Sequence, residues 1–206
     1  MLRSLQTTDL ELILPWRNLP AVRQAMYSQH EISLSEHQAW FERMQDDSCA
    51  KWFLYLDRSG VPTGVVYFTS VNAKQHTAFW GFYAKPDAIP GTGIRMELDA
   101  LIMAFDYLRL SKICCEVLAT NKTVLNMHRK VGFTQEGCFR EQFFDGDNRV
   151  DVIRFGMLAD EWPSRRDALQ VRVAELEAIS AHRAVTHATG RQTDRQTDRE
   201  IDNTRS

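Results

Sequence analysis

Cysteine is scarce in this 206-residue chain, and no metal-binding spacing is present. The four cysteines are Cys49, Cys114, Cys115 and Cys138. None has C-x-x-C spacing, and the adjacent pair would point to opposite faces of a strand, so neither a zinc site nor a disulfide framework is predicted. The six histidines form no H-E-x-x-H pattern. We therefore expect four reduced thiols in the core and no metal.

Long apolar runs and an excess of positive charge are also missing. No stretch approaches the roughly 18 apolar residues of a membrane-spanning helix. The first 18 residues carry acids within their apolar part, unlike a secretory signal. The net charge is -2, so nucleic acid is not the default partner, and the 44% hydrophobic fraction suits one soluble domain. These features predict a cytoplasmic protein that binds neither nucleic acid nor membrane.

The first half of the chain predicts helices followed by an antiparallel meander. Short helices are expected over residues 9–18 and 20–28, and a longer one over 33–44 with Ser35 as its N-cap. We expect these helices to form a lid over the rest of the domain. β-rich runs cover residues 51–57, 63–71 and 76–85, and turn residues join the first two.

The second half alternates helices and strands. A helix follows residue 91, with one apolar face formed by Ile94, Leu98, Leu101, Ile102 and Phe105. Arg95, Glu97 and Asp99 lie off that face. A strand is expected over 112–120, a helix over 121–131 ended by Gly132, and a hairpin that turns at Asp145 to Asn148. A helix between two strands favours a parallel pair, so we predict an α/β (α+β) fold with a mixed, mostly antiparallel sheet flanked by helices.

The end of the chain has a different composition. Residues 164–186 predict a peripheral helix beyond a domain that covers 1–163. Residues 187–206 contain a tandem RQTD and almost no apolar side chains, so burial cannot offset the entropy of ordering them. We expect this tail to be disordered.

The segment "IPGTGI" supplies two closely spaced glycines ahead of the central helix. Gly91 and Gly93 have no Cβ, so the backbone can turn sharply and a ligand can approach its N–H groups. Helix N-termini also attract phosphate through unpaired N–H donors. An ordinary strand-to-helix turn is the alternative interpretation of the same two glycines.

Three short motifs in the same order resemble those of GNAT-superfamily N-acetyltransferases, which use acetyl-CoA. They are "GTG" before the central helix, "EVLATN" on the next strand, and "HRKVGFTQEG" in the following helix and strand. The resemblance covers about residues 2–162 and implies that the backbone amides of Gly91, Thr92, Gly93 and Ile94 bind the pyrophosphate of coenzyme A. Ala88 departs from the Q/R that usually begins this loop pattern.

Other segments resemble a subfamily that acetylates a nucleotide sugar. "WRN", "MYS", "FWGFYAKP" and "CCEVLATN" are similar to enzymes that acetylate the 4-amino group of UDP-4-amino-4,6-dideoxy-N-acetyl-β-L-altrosamine in pseudaminic acid biosynthesis, for flagellin glycosylation. Ribosomal-protein N-terminal acetyltransferases share much of the pattern and form the main alternative. A coenzyme A binding module without catalysis is the second alternative, because Ala88 and His128 depart from the usual pattern.

Glu116 is the candidate general base. It interrupts an apolar strand on the face shared by Cys114 and Leu118, where desolvation would raise the pKa of a carboxylate toward neutrality. The resemblance implies the same role for this position. An edge-exposed or ion-paired glutamate without chemistry is the alternative.

Asn121 and His128 fall on one side of the next helix. The residues alone allow a simple N-cap and a surface histidine. The resemblance implies that Asn121 contacts the pantetheine arm and that position 128, commonly a tyrosine, protonates the departing thiolate. Imidazole can supply that proton at neutral pH, and departure of the thiolate without an acid is the alternative.

The remaining candidates surround the substrates. In the resembling family, the strand end at Phe82, Tyr83 and Ala84 presents a backbone N–H to the thioester carbonyl, which stabilises the oxyanion. Met26, Tyr27 and Tyr83 correspond to positions beside the sugar, where an apolar pocket suits a 6-deoxy methyl group. Core packing is the alternative for all of them. The predicted reaction is direct attack of the amine on the thioester, without a metal or a covalent enzyme intermediate.

Overall fold

The computed structural model describes residues 1–179, which form one seven-stranded sheet with helices on both faces. The strands are β1 (Leu2–Ser4), β2 (Lys51–Leu56), β3 (Pro62–Asn72), β4 (Thr77–Ala84), β5 (Lys112–Leu118), β6 (Thr134–Phe144) and β7 (Arg149–Leu158). Their order across the sheet is β1-β2-β3-β4-β5-β7-β6. Among these described strands, only the β4–β5 pair is parallel. The predicted mixed, mostly antiparallel sheet is confirmed.

Six α-helices are present within the described residues. They are α1 (Leu10–Arg17), α2 (Pro20–Arg23), α3 (Leu34–Gln45), α4 (Thr92–Ile102), α5 (Lys122–Val131) and α6 (162–179). A 3-10 turn at Thr7–Asp9 leads into α1, and a π-helical turn at Met103–Tyr107 continues α4. No helix among residues 1–179 is long and apolar enough to cross a membrane.

Two apolar layers form because β3 alternates its side chains between the faces of the sheet. Val65 packs with α1, α3 and β2 through Ile13, Phe41 and Leu54. The neighbouring Val66 packs on the opposite face with α4, α5 and α6. The N-terminal helices therefore cover one face, and α4 to α6 cover the other.

Local signals set several boundaries as predicted. Gly132 ends α5 at φ +109°, a left-handed conformation that favours glycine. The hairpin turns at Asp145, whose N–H donates to the Asn148 carbonyl oxygen at 3.1 Å. The strands β4 and β5, which α4 joins, pair in parallel, as a helix between two strands predicted.

Two helix predictions near the N-terminus were wrong in detail. The N-cap of α3 is Ser33, whose Oγ accepts the Glu36 N–H at 3.2 Å, so Ser35 lies inside the helix. The helix predicted over residues 20–28 stops at Arg23, because the N–H of Met26 donates to the carbonyl oxygen of Arg23. This i to i-3 bond tightens the chain into a turn that places Met26 and Tyr27 outside α2.

The charged positions of α4 were expected off the core face, yet two of them are buried. Arg95 is 8% exposed and Glu97 is fully buried, whereas Asp99 is half-buried. The physical reason is that α4 contacts the sheet, α5 and α6 together, so more than one side of the helix is covered. A single apolar stripe does not describe such a helix.

The expectation of four core thiols was half wrong. Cys114 and Cys115 on β5 are buried, but Cys49 and Cys138 are exposed, and all four are free. Cys49 lies in the turn between α3 and β2, and Cys138 lies on the edge strand β6, most of which is exposed.

The C-terminal predictions are only partly within the described chain. Residues 162–179 are helical, and Trp162, Leu169 and Val173 join the core beneath α4. The rest of the predicted helix and the tail 187–206 lie outside the described residues. The division of the chain at residue 163 stays a prediction.

Gly64 provides a test of the packing between β3 and α4. A Cβ at this position would lie 2.5 Å from Met96 Cε and 2.7 Å from the Tyr83 carbonyl oxygen, which belongs to the backbone and cannot move aside cheaply. We expect Gly64→Ala to lower the free energy of unfolding by about 1–3 kcal/mol in urea denaturation, because it overpacks the core.

Gly137→Ala is the matched control. Nothing lies within 4 Å of a Cβ there, so stability should be unchanged or raised by up to about 1 kcal/mol. Equal losses in the two variants would contradict the packing described for Gly64.

Candidate active site

The site opens where β4 and β5 separate. The parallel pairing joins Thr77–Phe79 to Lys112–Cys114 and continues no further within the described chain. From Trp80 and Cys115 onward the strands diverge around a pocket of about 240 Å³. Backbone groups on the inner edges of both strands thereby lose their sheet partners and face the pocket.

The backbone of Phe82 faces this gap. Lys85 donates its N–H to the Thr63 carbonyl oxygen on β3 at 2.9 Å. Because successive residues of a strand direct their N–H and C=O groups to opposite sides, Tyr83 also faces β3, whereas Phe82 and Ala84 face the gap. Phe82 N–H is therefore placed to donate to a carbonyl group held between the strands.

Glu116 projects from β5 into the same pocket. Its Oε2 accepts the Tyr27 hydroxyl at 2.7 Å, and its Oε1 lies 3.4 Å from the Arg154 guanidinium on β7. The side chain is 25% exposed. The carboxylate therefore has two protein partners and keeps some contact with solvent. Glu116 lines the pocket, as expected of a base, and it is also ion-paired, as the alternative interpretation held.

Tyr27 covers this carboxylate from the segment after α2. Its ring meets the Phe143 ring edge-on, with centroids 5.6 Å apart. Burial first, and then the hydrogen bond to Glu116, raises the pKa of Tyr27 above its ordinary value. The phenol therefore stays protonated at neutral pH and acts as the donor in this contact.

The wall of the pocket beyond Tyr27 is largely apolar. Met26 Sδ lies 4.0 Å from the Tyr67 hydroxyl, and the Tyr67 ring stacks on Trp52 at 4.4 Å. A Cβ at Gly81 would collide with the Tyr67 hydroxyl, so glycine is needed there for the ring to lie across β4. Tyr83 lines the pocket but is 7% exposed, and burial raises its pKa.

Asn121 and His128 both line the pocket, from the N-cap and the second turn of α5. The Asn121 side-chain oxygen accepts the Val124 N–H at 3.2 Å, which is the N-cap contact expected from the sequence. His128 is 2% exposed, which excludes a surface histidine. Its Nδ1 lies 2.6 Å from Oε1 of the buried Glu97.

The loop ahead of α4 retains unpaired donors. Gly91 has φ +87°. Thr92 was also predicted to offer its amide to the pyrophosphate, but its N–H and its hydroxyl both donate to the Ile89 carbonyl oxygen, so that amide is not a free donor here. The N–H groups of Gly93 and Ile94 have no backbone partner within residues 1–179. Two free donors at the start of an 11-residue helix fit a phosphate group.

Gly93 has a packing role besides any contact with a ligand. A Cβ there would lie 3.3 Å from Met127 Sδ and 3.7 Å from the Phe82 ring. The absence of a side chain thus lets α4 approach α5 and the end of β4. The loop is thereby continuous with the pocket through Phe82.

The structure gathers most of the predicted site residues around one pocket. Its lining includes Met26, Tyr27, Phe82, Tyr83, Ala84, Glu116, Asn121 and His128. Residues 91–94 adjoin it. Sequence reasoning missed Arg154, Phe143, Tyr67 and Glu97. Only Gly81 within an aromatic strand hinted at Tyr67, because a glycine inside a strand signals close approach by a neighbour.

No cluster of three or more histidine, cysteine, aspartate or glutamate side chains suited to a metal ion occurs among residues 1–179. Residues 1–134 match the acetyltransferase (GNAT) domain family. The chain belongs to the GNAT acetyltransferase family. It is therefore an N-acetyltransferase, and GNAT acetyltransferases use acetyl-CoA.

The relatives of this GNAT chain include two acetyltransferases with different names. Acetyltransferase PseH of Campylobacter jejuni strain 81-176 is 28% identical over 130 residues, which cover 63% of this chain and 80% of the relative. Spermidine N(1)-acetyltransferase of Vibrio cholerae is 24% identical over 168 residues, covering 81% and 96%. A crystal structure of the Vibrio cholerae spermidine enzyme with CoA and spermine superposes with a TM-score of 0.74 at 24% identity, covering 79% of this chain and 96% of that one. That superposition shows a shared fold.

Cys115 lies in the pocket of this acetyltransferase without being activated. Burial raises the pKa of its thiol well above the ordinary value, and the negative charge of Glu97 adds to the shift. A raised pKa means that the thiolate forms only at higher pH, so the thiol is a poor nucleophile near neutrality.

We expect iodoacetamide at pH 8 to alkylate the exposed Cys49 and to leave Cys115 unmodified in peptide mass spectrometry. Incubation with acetyl-CoA alone should likewise leave no acetyl group on Cys115. An acetylated Cys115 peptide would show that the acetyl group passes through the enzyme.

Proposed function

We propose that this N-acetyltransferase transfers the acetyl group of acetyl-CoA to the 4-amino group of UDP-4-amino-4,6-dideoxy-N-acetyl-β-L-altrosamine, a step of pseudaminic acid biosynthesis. The observation that carries the proposal is the 2.7 Å contact between Tyr27 and Glu116. Tyr27 belongs to the "MYS" segment that resembles the sugar-nucleotide subfamily, and Glu116 is the candidate base. The similarity to acetyltransferase PseH also supports this choice.

The residues around the gap divide the chemical work. Glu116 accepts a proton from the amine, because a carboxylate is ordinarily ionised at neutral pH. Phe82 N–H donates to the thioester oxygen, where negative charge develops as the amine attacks. His128 donates a proton to the sulfur as the carbon–sulfur bond breaks. The free N–H groups of Gly93 and Ile94 hold the pyrophosphate together with the N–H of Gly91. Asn121 contacts the pantetheine arm.

The acceptor side of the pocket favours a sugar over a polyamine. Among the lining residues within the described chain, Glu116 is the only acid, and Arg154 lies beside it. A polycation gains most from several unpaired carboxylates, which this lining does not offer. Met26, Tyr27 and Tyr83 instead form an apolar wall suited to the 6-deoxy methyl group and the sugar ring.

A panel of acceptors tests the proposal. The purified protein is mixed with acetyl-CoA and, in separate reactions, the UDP-4-amino sugar, spermidine and an N-terminal ribosomal-protein peptide, and release of CoA thiol is measured. We expect the highest kcat/KM with the sugar. Faster turnover of spermidine or of the peptide would assign the enzyme to that acceptor. Acetyl-CoA binding without turnover of any amine would indicate a non-catalytic binding module.

Glu116→Gln tests the base. With the preferred acceptor, kcat should fall by about 10²–10⁴-fold, the usual scale for losing a general base. Acetyl-CoA affinity in calorimetry should stay unchanged, because the pyrophosphate donors are untouched. The control is Glu42→Gln, an exposed glutamate on α3 that should retain the wild-type rate. A wild-type rate in Glu116→Gln would refute the assignment.

A further inference from the structure

Glu97 carries a buried carboxylate that the proposed reaction does not yet use. It lies on α4, is fully buried, and places Oε1 2.6 Å from Nδ1 of His128. Its Oε2 has no hydrogen-bond partner among residues 1–179. Burying a carboxylate without a partner is costly in free energy. Packing alone therefore does not favour glutamate at this position.

The His128 ring packs among three aromatic side chains. Rings of Trp80, Phe133 and Phe155 surround it at centroid distances of 5.6, 5.2 and 5.8 Å. Its Nδ1 faces Glu97, and the ring lines the pocket between β4 and β5. Nε2 forms no hydrogen bond within the described chain, so it is the ring atom left to meet a substrate.

We propose that Glu97 is a positioning residue that holds His128 with a proton on Nδ1 and stabilises the imidazolium that protonates the departing sulfur of coenzyme A. In this proposal Glu97 is ionised, and an ionised carboxylate only accepts hydrogen bonds, so Nδ1 then carries the proton in this contact. At 2.6 Å the Glu97 oxygen also lies within ion-pair distance of a charged imidazole. The inference rests on acetyl transfer in this pocket, not on the identity of the acceptor.

The protons of the step balance. As the carbon–sulfur bond breaks, its electron pair goes to sulfur, and Nε2–H passes its proton to that sulfur to give the thiol. His128 becomes neutral, keeps Nδ1–H on Glu97, and is reprotonated from solvent. An ammonium acceptor loses two protons at nitrogen and the sulfur gains one, so one proton is released in each turnover.

The packing of α4 on α5 makes this contact possible. Gly93 lets Met127 approach α4, and Glu97 follows Gly93 by four residues, so it lies one turn further along the same side of the helix. On α5, His128 directly follows Met127. The contact of Gly93 with Met127 and that of Glu97 with His128 therefore follow one another along the same pair of helices.

Glu97→Gln tests the role while keeping the side-chain shape. We expect kcat to fall by about tenfold to a hundredfold, because the imidazolium loses its countercharge and its fixed orientation. The KM for acetyl-CoA should change by less than about twofold, since no pyrophosphate donor is altered. Any acceptor that supports turnover serves for this measurement. The control is Asp99→Asn on the same helix, outside the pocket lining, which should keep the wild-type kcat.

A double-variant cycle separates positioning from mere stability. If Glu97 acts through His128, then Glu97→Gln combined with His128→Gln should be no slower than His128→Gln alone. Thermal melts of all variants identify losses that come from unfolding. Losses in kcat that multiply, or a wild-type kcat in His128→Gln, would overturn the proposal.

A spectroscopic measurement covers the case in which the variants fold poorly. Wild-type protein labelled with ¹⁵N-histidine should show His128, when neutral, as the tautomer protonated at Nδ1. No acceptor is needed, so this result is independent of the proposed sugar substrate. A neutral ring protonated at Nε2 and bare at Nδ1 would overturn the role of Glu97.

Discussion

The separation of β4 from β5 is the constraint on which the rest of the structure depends. Each strand keeps its outer partner throughout: β4 pairs with β3 up to Ala84, and β5 pairs with β7 over its full length. The sheet therefore stays intact. Between β4 and β5, however, only three residues of each strand are paired, and the backbone groups beyond them that face the gap have no partner in the sheet. Such groups are costly to bury without partners. A gap of this kind becomes stable when water or a ligand enters it.

Helix α4 carries residues from two parts of the proposed site. Its N-terminus carries the loop at residues 91–94, and its middle carries Glu97 against α5. Within that loop, Gly93 lies so close to α5 that a Cβ would crowd Met127 Sδ at 3.3 Å. The helix is buried between the sheet, α5 and α6, so its charged positions cannot be assigned to solvent by spacing alone. Burial of Glu97 is tolerated because a histidine meets it within hydrogen-bonding distance.

Features with a local cause could be predicted from the sequence. Gly132, the hairpin at Asp145 and the parallel pairing around α4 each follow from a few neighbouring residues or from chain order. Most of the predicted site residues also lie around one pocket. Their motifs resemble those of a family whose members share one fold, so their positions could be expected to come together. Contacts between distant segments could not be predicted in this way. Tyr27 and Glu116 are 89 residues apart, and nothing near Glu97 in the chain indicates that His128 will cover it.

The contact between Tyr27 and Glu116 has a consequence for the enzyme at rest. Both oxygens of the carboxylate already face protein groups, the phenol on one side and Arg154 on the other. A water molecule near the carboxylate therefore competes with the phenol and the guanidinium for these oxygens. An amine that displaces the phenol exchanges one hydrogen bond for another and gains the apolar wall beside it.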